Sequence, residues 1–559
     1  MTSTQQETQH AAAAAPGSEW WRTAVIYQIY PRSFADDSGD GVGDLPGVTA
    51  HLDELLDLGI DAIWLSPFQR SPQKDAGYDV SDYCDVDPLF GTLADFDDLL
   101  TGAHDRGIRI IVDLVPNHSS DQHEWFQAAL AAAPGSRERA RYMFRDGRGE
   151  HGELPPNNWE SVFGGPAWTR VTEADGAPGQ WYLHLFDSSQ PDFDWSNEEV
   201  REEFRRILRF WLDRGVDGFR VDVAHGLVKQ EGLPDYTPNP DAGSMGGDEG
   251  SVPYWGQPGV HEIYRDWHRL LAEYDGDRAL CAEAWLPSVA KTALWVRPDE
   301  MHQAFNFEYL ETEWDAAKLR AVIAESISVY AAVGAPSTWV LSNHDVVRHA
   351  SRLALTAENP QGHGIGPSSP GQPIPEVGLR RARAATALML ALPGSAYVYQ
   401  GEELGLPEAI DLPDEARQDP TWFRTEGERY GRDGCRVPLP WSPSAPAFGF
   451  SPTGESWLPQ PEQWRELARE VQATDPDSTL SLYRTLLAER RARSLGSGAL
   501  EWLDGFGDGV VAFRNGSLTV IANVDGATVP LPHGTIVAAS GPLAPEGVPI
   551  DTTVWVAAD

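Results

Sequence analysis

Cysteine is scarce in this 559-residue chain: there are three, Cys84, Cys281 and Cys435, far apart and without metal-ligand spacing. So placed, they exclude a disulfide framework and a thiolate metal site, and read as reduced thiols of a cytoplasmic protein. Basic residues are also few, 43 against 84 acidic ones, giving a formal net charge of -41. Nucleic acids and anionic membranes bind basic patches, so neither is expected as a partner. No run of about 18 apolar residues occurs, which leaves no membrane span. The opening MTSTQQETQHAAAAAPGSE has no basic start and no core of leucine or valine. Residues 1–19 therefore read as a disordered tail rather than a signal peptide.

What is present suits a large soluble fold. Hydrophobic residues make up 41%, enough for a sizeable core, and the length suggests two or three domains unless one α/β barrel absorbs it. The 21 tryptophans are many, and although most must fill the core, an indole is also a flat platform for a sugar ring. Short β-rich runs at 24–34, 62–68, 109–118, 218–224, 278–285, 303–309, 336–345 and 395–405 alternate with helical patterns such as 49–58, 94–106, 198–214, 260–274 and 378–392. That alternation predicts a parallel sheet, and eight such runs match a (β/α)8 barrel. The long stretch after the third run, rich in Trp, Gly, Pro and Asn, predicts an inserted subdomain over 119–187. Residues 20–118 and 188–495 are then the barrel. Beyond it, 496–559 alternate in strand fashion between Asn-Gly and Asp-Gly turns, as in a small antiparallel β domain.

The stretch Gly218-Phe219-Arg220-Val221-Asp222-Val223 puts two ionised side chains inside an apolar strand, where they share one face. Ionised groups are costly to bury unless paired or used. An Arg beside a carboxylate lowers its pKa and keeps it anionic, as a nucleophile requires. A buried ion pair with no further role is the alternative. Other runs also end in polar groups, namely Asn117-His118, Glu283 and His344-Asp345. In a barrel these ends converge on one rim, where active sites are built. A pair of carboxylates across a cleft can cut a glycosidic bond, one as nucleophile and one as acid/base.

Six motifs in register carry a resemblance: AGYDVSDY at 76–83, DLVPNH at 113–118, QPDFDW at 190–195, GFRVDVAH at 218–225, AEAW around Glu283 and SNHD at 342–345. From about residue 20 onward the chain resembles glycoside hydrolase family 13, the α-amylase family, in its oligo-1,6-glucosidase and α-glucosidase branch. Phe193-Asp194 departs from the Leu-Asn often found there in that branch. The resemblance implies Asp222 as nucleophile, Glu283 as general acid/base and Asp345 as a third carboxylate that grips sugar hydroxyls. It implies that Arg220 orients Asp222, and that His118 and His344 bond the hydroxyls of the transferred glucose. Asp75 and Tyr78 match the family's Asp-x-x-Tyr, with Arg432 as the partner of Asp75, although Arg436 lies in the same short motif. Phe186 and Gln190 resemble pocket-lining residues, ordinary loop packing being nearly as good a reading for Phe186.

The loop from Asp36 to Asp44 places oxygen ligands at alternate positions with Gly41 sixth, like the first half of an EF-hand. Gly47 stands where the closing Glu would be. The branch has such a site, which implies Asp36, Ser38, Asp40, the Val42 carbonyl and Asp44 around a structural Ca2+, with Mg2+ as the other candidate. Catalysis needs no cofactor. The function so implied is an exo-acting, retaining α-glucosidase on maltose and short α-gluco-oligosaccharides, as a monomer or small homo-oligomer. Alternatives on the same residues are an oligo-1,6-glucosidase, or a transglucosylase or sucrose isomerase. The family's non-catalytic transporter subunits lose the carboxylates and carry an anchor, and this chain does neither.

Overall fold

The computed structural model describes residues 19–237, 252–360 and 362–558. All but the last residue of the expected tail lies outside them. Eight parallel strands form the centre: β1 Val25–Ile29, β2 Ala62–Leu65, β3 Arg109–Leu114, β4 Gly218–Val221, β5 Ala279–Ala282, β6 Gln303–Ala304, β7 Thr338–Val340 and β8 Ser395–Tyr399. Their hydrogen-bonded order is β6-β5-β4-β3-β2-β1-β8-β7. A parallel bridge between Phe305 and Thr338 joins the two ends, so the sheet closes into a barrel. Nearly every strand residue is buried, because side chains point either into the barrel or against the surrounding helices.

Each strand is shorter than the apolar run that predicts it. β3 stops at Leu114, ahead of Asn117-His118, and β7 stops at Val340, ahead of His344-Asp345. The polar residues at the end of each run leave the sheet and form the rim. The helices start and stop on local signals. Leu93–Asp105 opens on a Thr92/Asp95 capping box. Glu198–Arg214 opens on an Asn197 cap and ends at Gly215, whose φ of 105° closes it in the left-handed region. The predicted helix at 49–58 divides into Leu45–Ala50 and Leu52–Leu58 on either side of His51.

Between β3 and β4, the inserted subdomain holds a helix, Glu124–Ala131, and a three-stranded antiparallel sheet built from Phe144–Arg145, Trp168–Thr172 and Pro178–Leu183. The C-terminal domain is a five-stranded antiparallel sheet from Leu500 to Ala557. It is fixed to the barrel by Trp555, whose indole donates to the Ala387 carbonyl at 2.9 Å, and by Asp551, which takes Arg381 at 3.0 Å and the Trp314 indole at 2.9 Å. All three cysteines are free. No helix among the described residues is long and apolar enough to cross a membrane.

Candidate active site

One guanidinium organises the rim. Arg220, in β4, is 1% exposed and lies opposite Asp113 of β3 in the sheet register. Its Nη1 donates to Asp113 at 3.0 and 3.2 Å and to Asp222 at 2.6 Å. Its Nη2 lies 3.0 Å from Glu283 Oε2. The Trp64 ring lies beneath the cation at 5.0 Å. Asp113 also accepts the Tyr78 hydroxyl and the Trp64 indole N–H, both at 3.1 Å. Asp113 was not picked out of DLVPNH in the sequence, although it shows the same signal as Arg220: a charge inside an apolar strand.

Burial pushes the Asp222 carboxyl up, Arg220 pulls it back, and the charges of Glu283, Asp113 and Asp345 push it up again, with a net rise. The pull of Arg220 on Asp222 is the one expected from the sequence, but burial outweighs it. The cation is divided among three carboxylates, so none receives all of it. Burial likewise takes Asp113 up to about 6 against the pull of Arg220.

The residue after Asp222 is strained. Val223 has φ 43°, in the left-handed region that a β-branched side chain enters at a cost of order 1–3 kcal/mol. The turn aims its backbone N–H at Glu283 Oε2, 2.8 Å away. The other carboxyl oxygen of Glu283 accepts the Trp285 indole N–H at 2.9 Å. Both oxygens of Glu283 are thus held.

A second cluster closes the far end. Arg432 donates to Asp75 at 2.8 Å, Asp345 at 3.1 Å and Asp419 at 2.6 Å. Arg436 instead serves Asp345, at 3.0 Å, and the His344 carbonyl, so Arg432 is the partner of Asp75. Asp419 was not anticipated, since nothing in its local sequence marks it. Gln190 Nε2 donates to Asp75 at 3.0 Å and lies 3.2 Å from His118 Nε2. Burial lowers His118 to about 4, so its ring is neutral near pH 7. His344 lies flat on Tyr78 at 5.2 Å, and burial makes it neutral as well. Burial works against ionisation of Asp345, yet the surrounding charges hold it below the usual range. With His344 neutral, Arg432 and Arg436 carry that effect.

Asp75, Tyr78, His118, Phe186, Asp222, Glu283, Asp345 and Arg432 line one cavity of about 90 Å³. Val223, which the sequence marks as the position after the nucleophile, is on its wall too, and the sequence missed others there: Trp285 from the barrel, and Val162 and Phe163 from the inserted subdomain. Arg220, Gln190 and His344 stand behind the wall and reach the cavity through the side chains they hold.

The Asp36–Asp44 loop follows β1. Asp36 accepts Gly39 N–H at 2.7 Å and Gly41 N–H at 2.8 Å, and Asp44 accepts Ser38 N–H at 2.9 Å and Gly47 N–H at 2.7 Å. Asp40 is exposed and accepts Val42 N–H at 2.9 Å. Among the described residues no three His, Cys, Asp or Glu side chains are gathered to hold a metal. The donors are nevertheless all oxygens, and Asp36 and Asp44 are 4% and 3% exposed. Burial pushes Asp44 up against the pull of its amide donors, and the charge of Asp36 adds to the rise. Two buried neighbouring carboxylates suit a hard cation.

Carboxylates and guanidiniums around a small cavity, on the strand-end rim of a barrel, define the class as an enzyme acting on a hydroxyl-rich ligand. Residues 28–498 match the family model for the alpha amylase catalytic domain. The chain is 38% identical over 505 residues to a probable alpha-glucosidase of Rhizobium meliloti (strain 1021), covering 88% of this chain and 86% of that one. It is 35% identical over 514 residues to an oligo-1,6-glucosidase of Parageobacillus thermoglucosidasius, covering 85% and 84%. The solved structure of an alpha-glucosyl transfer enzyme, XgtA, superposes with a TM-score of 0.81 at 36% identity, over 97% of this chain and 98% of that one. The chain belongs to the alpha-amylase family of glycoside hydrolases, in its α-glucosidase and oligo-1,6-glucosidase branch.

Asp75 gives a test of the far-end cluster. Burial raises it from 3.8 to about 6, against Arg432 and Arg436. Between those values the folded chain holds a proton that the unfolded chain releases. This group therefore favours folding at low pH, and that contribution is lost as pH rises through 6. Asp75→Asn should leave the melting temperature at pH 7 unchanged or raised, since Arg432 keeps Asp345 and Asp419. It should lower kcat/KM by about 100-fold or more. A mutant that melts well below wild type at pH 7, or that keeps its kcat/KM, would contradict this account.

Proposed function

We propose that the enzyme is an exo-acting, retaining α-glucosidase that releases α-glucose from the non-reducing end of maltose and short α-gluco-oligosaccharides. The observation that carries this reading is that Asp222 and Glu283 sit on the two terminal nitrogens of one guanidinium. Carboxyl groups held so close fit the roughly 5–5.5 Å spacing of double displacement better than the wider gap that admits a water between them. Asp222 attacks the anomeric carbon while Glu283 protonates the departing oxygen. Water, activated by the same Glu283, then hydrolyses the glucosyl ester. Burial pushes Asp222 up while Arg220 pulls it back toward the ionised form that attack requires. Asp345, held ionised, stabilises the positive charge that develops on the ring. Arg220 orients Asp222, and Asp75, Tyr78, His118, Phe186, Gln190 and His344 shape the glucose pocket.

Exo action is supported by the Asp75–Arg432–Asp419 cluster, which walls off the far end of the cavity. One observation favours a second reading. Trp285, Asp345 and Arg432 also line a neighbouring cavity of about 880 Å³. That space accommodates an acceptor larger than water, so transglucosylation is the runner-up, and an oligo-1,6-glucosidase follows it on the strength of the linkage position below.

Val223 lines the pocket directly after the nucleophile. A branched apolar side chain there favours α-1,6 linkages in this branch, whereas the surrounding QPDFDW and Ala224-His225 pattern favours α-1,4. One methyl-sized difference is worth about 1–3 kcal/mol, so the surrounding pattern prevails. Maltose should be cleaved with higher kcat/KM than isomaltose, glucose being the only product early in the reaction, and Val223→Thr should shift the ratio further toward maltose. Isomaltose as the better wild-type substrate, or early maltose release from maltoheptaose, would overturn the linkage or the exo assignment respectively.

For the Asp36–Asp44 loop we propose a structural Ca2+, with Asp40 turned inward to join Asp36, Ser38, the Val42 carbonyl and Asp44. Chelation should lower the melting temperature and added Ca2+ should restore it, with the rate at low temperature unchanged. A melting curve indifferent to chelator and to Ca2+ would remove the metal from the loop.

A further inference from the structure

Glu283 is held more completely than an acid/base that relied on Arg220 alone. Its Oε2 accepts the Val223 N–H at 2.8 Å and lies 3.0 Å from Arg220 Nη2. An amide hydrogen bond and a guanidinium ion pair on one oxygen disfavour a proton there, which places the transferable proton on Oε1. At Oε1 the neighbour is the Trp285 indole N–H, at 2.9 Å. That indole is 5% exposed and lies flat on Phe307, with ring centres 3.7 Å apart and planes 5° apart. The stack fixes where the N–H points. Trp285 also lines both the catalytic cavity and the larger one beside it, so it stands where the leaving group departs.

We propose that Trp285 is a positioning residue for Glu283, and that its hydrogen bond strengthens as Oε1 loses its proton. This rests on Glu283 being the acid/base. In the first step the bond between the anomeric carbon and the leaving oxygen breaks as the Asp222 oxygen bonds that carbon. The leaving oxygen takes the proton of Glu283 Oε1, which becomes a carboxylate oxygen. A donor already aimed at Oε1 meets that charge without reorganising, which makes the contact selective for the transition state. It matters only as far as the leaving group needs the proton.

Trp285→Phe keeps a stacking ring on Phe307 and removes the donor. On maltose, whose leaving group needs protonation, kcat should fall on the order of tenfold to a hundredfold with little change in KM. On 4-nitrophenyl α-glucoside, whose leaving group needs almost none, the loss should stay within about threefold. A merely structural role would lower both substrates alike or act through KM, and either result overturns the proposal. The Glu283→Gln background separates this inference from its premise, because residues that act as one unit are non-additive. If Glu283→Gln is itself no worse on maltose than on the nitrophenyl substrate, the acid/base assignment fails. If it is selectively impaired and Trp285→Phe still adds its full loss in that background, Trp285 acts elsewhere and the proposal fails alone. Trp285→Leu, read on the same two substrates, carries the test should the Phe variant not fold.

Discussion

The rim is organised around a shortage of positive charge. Arg220 is the cation for Asp113, Asp222 and Glu283, and Arg432 is the cation for Asp75, Asp345 and Asp419. A carboxylate with a guanidinium to itself settles into a stable, ionised and chemically idle pair. Divided three ways in a buried site, the guanidiniums do not offset burial everywhere: Asp222, Asp113 and Asp75 are shifted up, whereas Asp419, which also accepts backbone N–H groups, is held down at about 2. Asp345 shows the opposite case, since Arg436 joins Arg432 on it and it stays ionised.

The barrel makes this crowding affordable. β3 and β4 place Asp113 and Arg220 side by side in register, on backbones fixed by their own sheet bonds. The clusters are therefore held by a scaffold whose stability comes from buried strands and helices elsewhere. Val223 is strained, and its strain too serves the site, because the turn it makes delivers an N–H to Glu283. Local cost at a functional site, carried by a rigid surround, is the expected pattern.

Much of this was legible in the chain. The eight apolar runs became eight strands, and the polar residues that end them became the rim, because periodicity and the cost of burying charge are local properties. Asp222, Glu283 and Asp345 stood out for that reason. Partnerships between distant segments were not legible. Arg432 and Arg436 lie four positions apart in one motif, and only the fold separates the one that meets Asp75 from the one that meets the His344 carbonyl. Asp419 carries no local mark, and Trp285 resembled any of the tryptophans that fill the core. The charge state of Asp222 could not be read either. From the sequence Arg220 had one visible partner two residues away, and the fold gave it two more.

The proposed chemistry turns on Asp222 as a nucleophile under the shared guanidinium. The direct measurement is mass spectrometry of enzyme incubated with 5-fluoro-α-D-glucosyl fluoride, followed by peptide mapping, with proton NMR of the sugar first released from 4-nitrophenyl α-glucoside. The prediction is a fluoroglucosyl adduct on Asp222, absent from Asp222→Asn, with α-glucose appearing before any β anomer. An adduct on another residue, or β-glucose as the first product, would contradict it.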